Sequence, residues 1–441
     1  MHMDERSKLY AGGLARLIRG ETISAAEDKT REKFYRFHEL LRAEFPLLFE
    51  TAAYEDFDGS FLLRWKGAGA REPIMLMNHH DVVEATGAWT HPPFAGEIAD
   101  GKLWGRGTLD TKGGLYCMLR AAEELIAEGF TPACDVYFFS TCTEETTGEG
   151  AQLIAAALRE RGLHFRFTLD EGGMILTEPI AGAKGTYAIV GLGEKGCADL
   201  KFIARSTGGH ASTPGRDTPL VRLGRFMAAA EKADIFPSRI SPVVHELFTR
   251  LSGSMSGVLK TALGHSRALS PLLKKIVPAV SPIAGAMFRT TLAFTMAQGS
   301  AGTNVLPQEA WVIGNMRYSH HQGSAGSIEA VRKLAAKYNV ETEVLDAGVD
   351  SPLGSVESEG FRLAERAVSA VFRGVETAPY LMTAASDSRF LDESITSCAL
   401  RFTPFLISDE QLSSIHGIDE NVNIEVLPGA VDFYRYMIKE A

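Results

Sequence analysis

The run "PIMLMNHH", Pro73–His80, is apolar without a break until Asn78. Neighbouring side chains of a strand point to opposite faces of its sheet, so an unbroken apolar run must be covered on both sides. That confines the chain to architectures in which helices flank a largely parallel sheet. The following segments agree. "GGLYCMLRAAEELIAEG" has apolar residues at helical spacing and stops at Gly129. "CDVYFFST" reads as a second buried strand, "GEGAQLIAAALRERG" as a helix, and "FRFTLDEGG" as a third strand that turns sharply at its glycines.

Near "GLGEKGCADLKFIARSTGGHASTP" the pattern changes. Longer alternating strands appear ("RTTLAFTMAQG", "QEAWVIGNMRYS"), with single helices expected at about 218–232 and 325–338, as in a small antiparallel α+β unit. After "VDSPLGS" the helix–strand alternation resumes through "FRLAERAVSAVFRG", "ITSCALRFTPF" and "PGAVDFYRYMIKEA". The expected fold is therefore α/β: a catalytic domain over 1–193 and 352–441, with a largely parallel mixed sheet flanked by helices. A smaller α+β lid or dimerisation domain is inserted over 194–351. A chain of 441 residues suits two domains.

Charge and cysteine content narrow the partners. A net charge of -10 argues against nucleic acid. The N-terminus is charged from residue 4 and has no apolar core of the signal type. The most apolar stretch, Ile276–Phe288, is too short to cross a bilayer and reads as a buried or lid-like segment. No membrane partner is expected. The five cysteines, Cys117, Cys134, Cys142, Cys197 and Cys398, are odd in number and lack a CxxC pair, which points to reduced thiols and a cytoplasmic address.

Acids and histidines fall where strands end. His79 and Asp81 follow the first strand, Glu144 and Glu145 the second, Asp170 and Glu171 the third, and His416 the C-terminal strand. Ligand-binding groups of open α/β sheets collect at such carboxyl ends. Asp110 joins them from the glycine-rich turn "GRGTLDTKGG". Alternation puts His79 and Asp81 on one face and turns His80 away, as a packing or surface residue. A metal-bound imidazole donates its second N–H to a carboxylate, so His79 is expected as a ligand and Asp81 as the group that orients it. In the Glu144–Glu145 pair, one carboxylate can bind a metal while its neighbour takes a proton from the activated water. Two histidines and three carboxylates fit two ions with a shared carboxylate more naturally than one.

At this point the sequence resembles the M20 family of metallopeptidases and amidohydrolases. The motifs that carry the resemblance are "NHHDVV", "WGRGTLDTKGG", "TEETTGEGA", "LDEGG", "GGHASTP", "GTNVLP", "NMRYS", "SDSRF" and "IHGIDENV", in the family's order. They look most like the carboxypeptidase S branch, which includes N-acyl-amino-acid hydrolases. The resemblance implies that Asp110 bridges two metal ions. Glu145 and His416 would complete one site, His79 and Asp170 the other, with Glu144 as general base and Asp81 behind His79. It further implies that His210 polarises the scissile carbonyl, after domain closure or across a dimer interface, and that Asn304 and Arg317 hold the substrate. Arg317 would grip a carboxylate with its planar fork. One departure is Ala384-Ala385-Ser386 where the family often has Gly-Gly-Thr, which leaves Asp387 and Arg389 without an assigned role.

The expected function is metal-dependent hydrolysis of a peptide or amide bond beside a free carboxylate, of carboxypeptidase or dipeptidase type. An N-acyl-amino-acid amidohydrolase is the alternative, and a non-catalytic metal-containing binding module is the reading from another class. The expected cofactor is two divalent ions, zinc first, with cobalt and manganese also suited to mixed carboxylate and imidazole ligands. The expected partner is a small peptide or an N-acyl amino acid. The family's dimers make a homodimer through the inserted domain one expected assembly.

Overall fold

The computed structural model describes residues 4–25, 27, 29–233 and 235–441. Residues 1–3 of the charged N-terminus, and the side chains of residues 280, 282 and 283 within the stretch Ile276–Phe288, lie outside the described residues.

An eight-stranded mixed sheet runs, from edge to edge, Ala53–Phe57, Ser60–Trp65, Cys134–Ser140, Arg71–Met77, Thr168–Thr177, Ala399–Ile407, Thr186–Glu194 and Val375–Met382. The four strands from Cys134–Ser140 to Ala399–Ile407 are mutually parallel, and the antiparallel pairings lie to either side. Arg71–Met77 explains its own composition. Ile74 and Leu76 point into a core with the helices Lys112–Ala127 and Leu427–Glu440, while Met75 and Met77 point into another with the helix Glu149–Glu160. Both faces are dry, as the unbroken apolar run requires.

A second sheet is antiparallel throughout, in the order Thr291–Gln298, Glu309–Tyr318, Gly196–Arg205, Glu341–Asp346. Pro219–Lys232 and Gly323–Ala336 cover one of its faces and share a separate core, built on Leu200, Phe202, Phe226 and Val331. The chain passes from one sheet to the other with only Lys195 between strands.

Part of the segment expected to form the insert does not pack there. Four short helices, Pro242–Ser252, Gly257–Gly264, Ser270–Val280 and Pro282–Ala286, put Val244, Leu247, Leu263 and Leu273 against Tyr187, Ile189, Ala378 and Leu381 of the large sheet. Residues 240–288 thus belong by packing to the large sheet, although the sequence places them inside the smaller unit.

Candidate active site

Beyond Met77 the extended chain delivers Asn78, His79, His80 and Asp81 in turn. His79 Nδ1 lies 3.3 Å from Asp81 Oδ1 and 3.0 Å from the Asp81 carbonyl oxygen. Its Nε2 lies 3.0 Å from Asp110 Oδ1, 3.6 Å from Glu171 Oε1 and 4.0 Å from Glu144 Oε2. One ring nitrogen therefore faces its orienting acid and the other faces a group of carboxylates, the geometry of a ligating imidazole. His80 turns the other way. It is fully buried, sits 2.8 Å from Ser140 Oγ and stacks on Phe37 and Phe61. Burial holds its pKa well below the usual range, so it is a neutral packing residue.

Asp81 also locks the second strand end to the first. Its carboxylate accepts hydrogen bonds from the backbone N–H groups of Glu144 and Glu145, at 3.3 and 3.1 Å, and from the Ser24 hydroxyl at 2.7 Å. Ser24 reaches it from a strap laid across the histidine pair, in which the Thr22 hydroxyl donates to the His80 carbonyl and Ile23 bridges Val82. Sequence reasoning passed over this strap, because Ser24 belongs to no chemical motif.

Asp110 lies between two imidazoles, with Oδ1 near His79 and Oδ2 3.1 Å from His416 Nε2. His416 Nε2 is also 3.1 Å from Glu145 Oε2. Burial alone would raise the Asp110 pKa, but hydrogen bonds with His416 and His79 hold it well below the carboxylate range. The same bonds, from Asp110 first and then Glu145, push His416 up to about 10. His416 sits in left-handed backbone at φ 61°, just past a short helix whose start is fixed by a Ser408–Gln411 capping box.

Glu420, unassigned by sequence, clamps the turn that carries Asp110. Its carboxylate accepts from the N–H groups of Gly107, Leu109 and Asp110 and pairs with Arg106 at 2.6 Å, with both side chains buried. Gly105 and Gly107 take φ values of 153° and 91° in that turn, conformations a side chain disfavours. Glu420→Ala leaves a buried guanidinium without its carboxylate counter-charge and is expected to cost about 3–5 kcal/mol of stability, read as a lower urea midpoint.

The third strand departs from expectation. Asp170 does not turn towards His79: its two oxygens accept from the N–H groups of Glu171, at 2.9 Å, and Ser388, at 2.8 Å. Glu171 faces the cluster in its place. The reason is a β-bulge. Arg401 pairs with Asp170 and Phe402 with Gly173, so Glu171 and Gly172 are extra residues on this strand, and Gly172 takes φ 131°. A bulge re-aims a side chain, and here it re-aims Glu171. The strand also runs on to Thr177 instead of ending at the glycines.

The turn Asp387–Phe390 closes over these strand ends. Arg389 Nη1 is 3.3 Å from Glu144 Oε1, and the Thr141 hydroxyl donates to Asp387. Glu194 and Arg401, both fully buried, pair at 3.3 Å beneath the turn, and Glu194 accepts from the N–H and hydroxyl of Ser386. Asp387 and Arg389 thus border the cluster, where sequence alone assigned them nothing.

His210 and Asn304 come together on the smaller unit. His210 pairs with Val305 in a two-strand ladder, and the N–H of Ala211 donates to the Asn304 carbonyl. Both are exposed. Ser212 N–H donates to His210 Nδ1, which leaves the proton on Nε2. Arg317 lies next to the end of the strand Glu309–Tyr318, half-buried, with its Nε donating to the Asn315 side-chain oxygen. Among the described residues, no hydrogen bond joins these three to the carboxylate cluster.

The cluster suits cations. Two groups, His79–Asp110–Glu145 and His79–Glu144–Glu171, each hold their ligand-type atoms within 4.8 Å of one another. Burial, the largest influence, pushes the Glu144, Glu145 and Glu171 carboxyls up, and the charges of neighbouring acids add to it while the imidazoles oppose it. Glu145 Oε1 is buried without a hydrogen-bond partner. An orphaned carboxylate oxygen beside excess negative charge is what a divalent ion would satisfy, and the mixed imidazole and carboxylate set fits zinc, cobalt or manganese.

The chain is similar to several known proteins. "Probable carboxypeptidase S-like 2" of Dictyostelium discoideum is 31% identical over 99% of this chain and 87% of its own length. The human "N-fatty-acyl-amino acid synthase/hydrolase PM20D1" is 31% identical over 84% of this chain and 74% of its own. Among solved structures, an M20 family metallo-carboxypeptidase from Sulfolobus solfataricus shares the fold with a TM-score of 0.73, at 18% identity and with 99% of each chain covered. The model of peptidase family M20/M25/M40 matches residues 75–440. That match takes in every strand end that builds the cluster, and this enzyme chain belongs to peptidase family M20/M25/M40.

Proposed function

We propose that the protein hydrolyses a peptide or amide bond beside a free carboxylate, using two divalent cations. The observation that carries this reading is the carboxylate of Asp110 held between His79 and His416, with Glu144, Glu145 and Glu171 around it. Asp110 would be shared, with His79 and Glu171 on one side and Glu145 and His416 on the other. Bound ions supply an acidified water and a polarised carbonyl. A protein of this fold from Bacillus subtilis is described as a dinuclear metal binding peptidase, which supports the count of two.

The chain's own residues then handle protons and charge. Glu144 is buried, with one oxygen held by Arg389 and the other aimed at the cluster. It takes a proton from the attacking water as the oxygen bonds to the carbonyl carbon. It returns that proton to the amide nitrogen as the carbon–nitrogen bond breaks, releasing an amine and a carboxylic acid. His210, protonated at Nε2, would donate to the developing oxyanion, and Arg317 would pair with the substrate carboxylate. Both stand on the smaller unit, so a change in its position relative to the large sheet would bring them to the substrate.

The same ligands serve an N-acyl amino acid, and one observation favours that second reading: the human relative named above, 31% identical, is called an N-fatty-acyl-amino acid synthase/hydrolase. The deciding test sets a panel of dipeptides against N-acyl amino acids, each with a free or amidated carboxyl end, on protein loaded with zinc. Hydrolysis limited to free carboxylates is expected. Equal turnover of the amides would remove the proposed Arg317 contact. Metal affinity is also expected to rise with pH, since His79 and His416 are both held in the protonated range by their carboxylate neighbours and must lose that proton to ligate. Calorimetric titration with zinc at several pH values reads this directly.

A further inference from the structure

Charge along this chain is unevenly spread. It has 55 acidic and 45 basic residues, yet no Asp or Glu lies between Glu246 and Glu309. Arg250, Lys260, Arg267, Lys274, Lys275 and Arg289 all fall in that interval. Arg250 is engaged by Glu246 and Glu365, while Lys260, Arg267 and Lys275 are exposed and Lys274 is half-buried.

The same helices are apolar on two sides. Their inner faces are already covered, with Leu263 and Leu273 buried against the large sheet. Their outer faces still present Val258 at 85% exposure, Leu259 at 52%, Leu272 at 53% and Ile276 at 48%. Leu272, Lys275 and Ile276 lie three and four residues apart, on one side of the helix Ser270–Val280. A helix that docks on a sheet needs one apolar side. Single exposed aliphatics are ordinary, but here they coincide with the interval that has lost every acid.

From these two observations we infer that the helical face of residues 257–280 docks on an anionic lipid bilayer. A bilayer of that kind offers both things the face asks for: negative headgroups for the lysines and arginine, and an acyl boundary for the aliphatic side chains. The contact is peripheral. No helix among the described residues is long and apolar enough to cross a membrane. An acidic protein surface would satisfy the cations but leave Val258 and Leu272 facing polar groups. The inference does not depend on the hydrolytic reading, because vesicle binding needs neither metal nor turnover.

The test is flotation of the full chain with vesicles of phosphatidylcholine alone and of phosphatidylcholine with phosphatidylserine. Binding to the anionic vesicles is expected to exceed binding to the neutral ones by at least about tenfold and to collapse in high salt. Each lysine near the surface contributes about a fivefold factor, so Lys274→Glu with Lys275→Glu lowers partitioning by more than about twentyfold. Val258→Ser with Leu259→Ser weakens it on the same vesicles by removing insertion. All four positions are at least partly exposed, so an unchanged melting temperature verifies the fold of each variant. No flotation, equal flotation with both vesicle types, or indifference to charge reversal in a folded variant overturns the inference.

Discussion

Glu144→Ala is expected to lower kcat by about 10²–10⁴-fold while the metal content, measured by elemental analysis, stays at the wild-type level. The geometry separates the two readouts. Glu144 Oε2 lies 4.0 Å from His79 Nε2, a full ångström farther than Asp110, and Oε1 is paired with Arg389. Its backbone is fixed independently by Asp81, so removing the side chain should not move Glu145. Glu144→Gln provides a variant of equal size that cannot carry the proton, and it should fall nearly as far. A loss of one ion in either variant would instead make Glu144 a ligand, because it shares one of the two candidate metal groups with His79 and Glu171. Full activity with full metal would defeat the role of base outright.

Glu171 and Asp170 give the second large effect, and it runs against the sequence expectation. Glu171→Ala should remove about one ion per chain and lower activity by more than the roughly 10–100-fold typical of groups that only support a ligand. Asp170→Asn should keep both ions. Its cost falls on the fold, because it weakens acceptance from Glu171 and Ser388 and loosens the turn that carries Arg389, for about 1–3 kcal/mol of stability. Zinc titration calorimetry and a urea midpoint on each variant separate ligand from support. If Asp170→Asn loses the ion and Glu171→Ala retains it, the original assignment stands and the bulge has been misread.

This pair also marks how far the sequence could be read. The central strand, the roles open to His79 and Asp81, and the turning away of His80 follow from alternation along a single extended segment, and local pattern sufficed. Glu171 does not yield to that logic. Its direction depends on two extra residues that appear only when the strand is paired with Ala399–Ile407, more than half the chain away. Glu420 is hidden for the same reason, since its partners sit in a turn 310 residues earlier. Ser24 is a common residue in a segment without periodicity. The helices of 240–288 carry an apolar pattern equally suited to covering either sheet, and only tertiary packing assigns them to the large one. For His210, Asn304 and Arg317, a family resemblance supplied roles that spacing alone could not.

Glu420 has a further consequence for the order in which the molecule is made. A chain leaving the ribosome presents His79, Asp110, the glutamate pair and Glu171 well before Glu420 and His416 emerge. Until then the Asp110 turn lacks the carboxylate that gathers its N–H groups, and the crowded acids have only one imidazole among them. On the two-ion reading, an ion taken up at that stage would lack its His416 ligand. Capture by the full ligand set would then wait for the strand Ala399–Ile407 and the loop after it, so a loaded centre would report a folded chain.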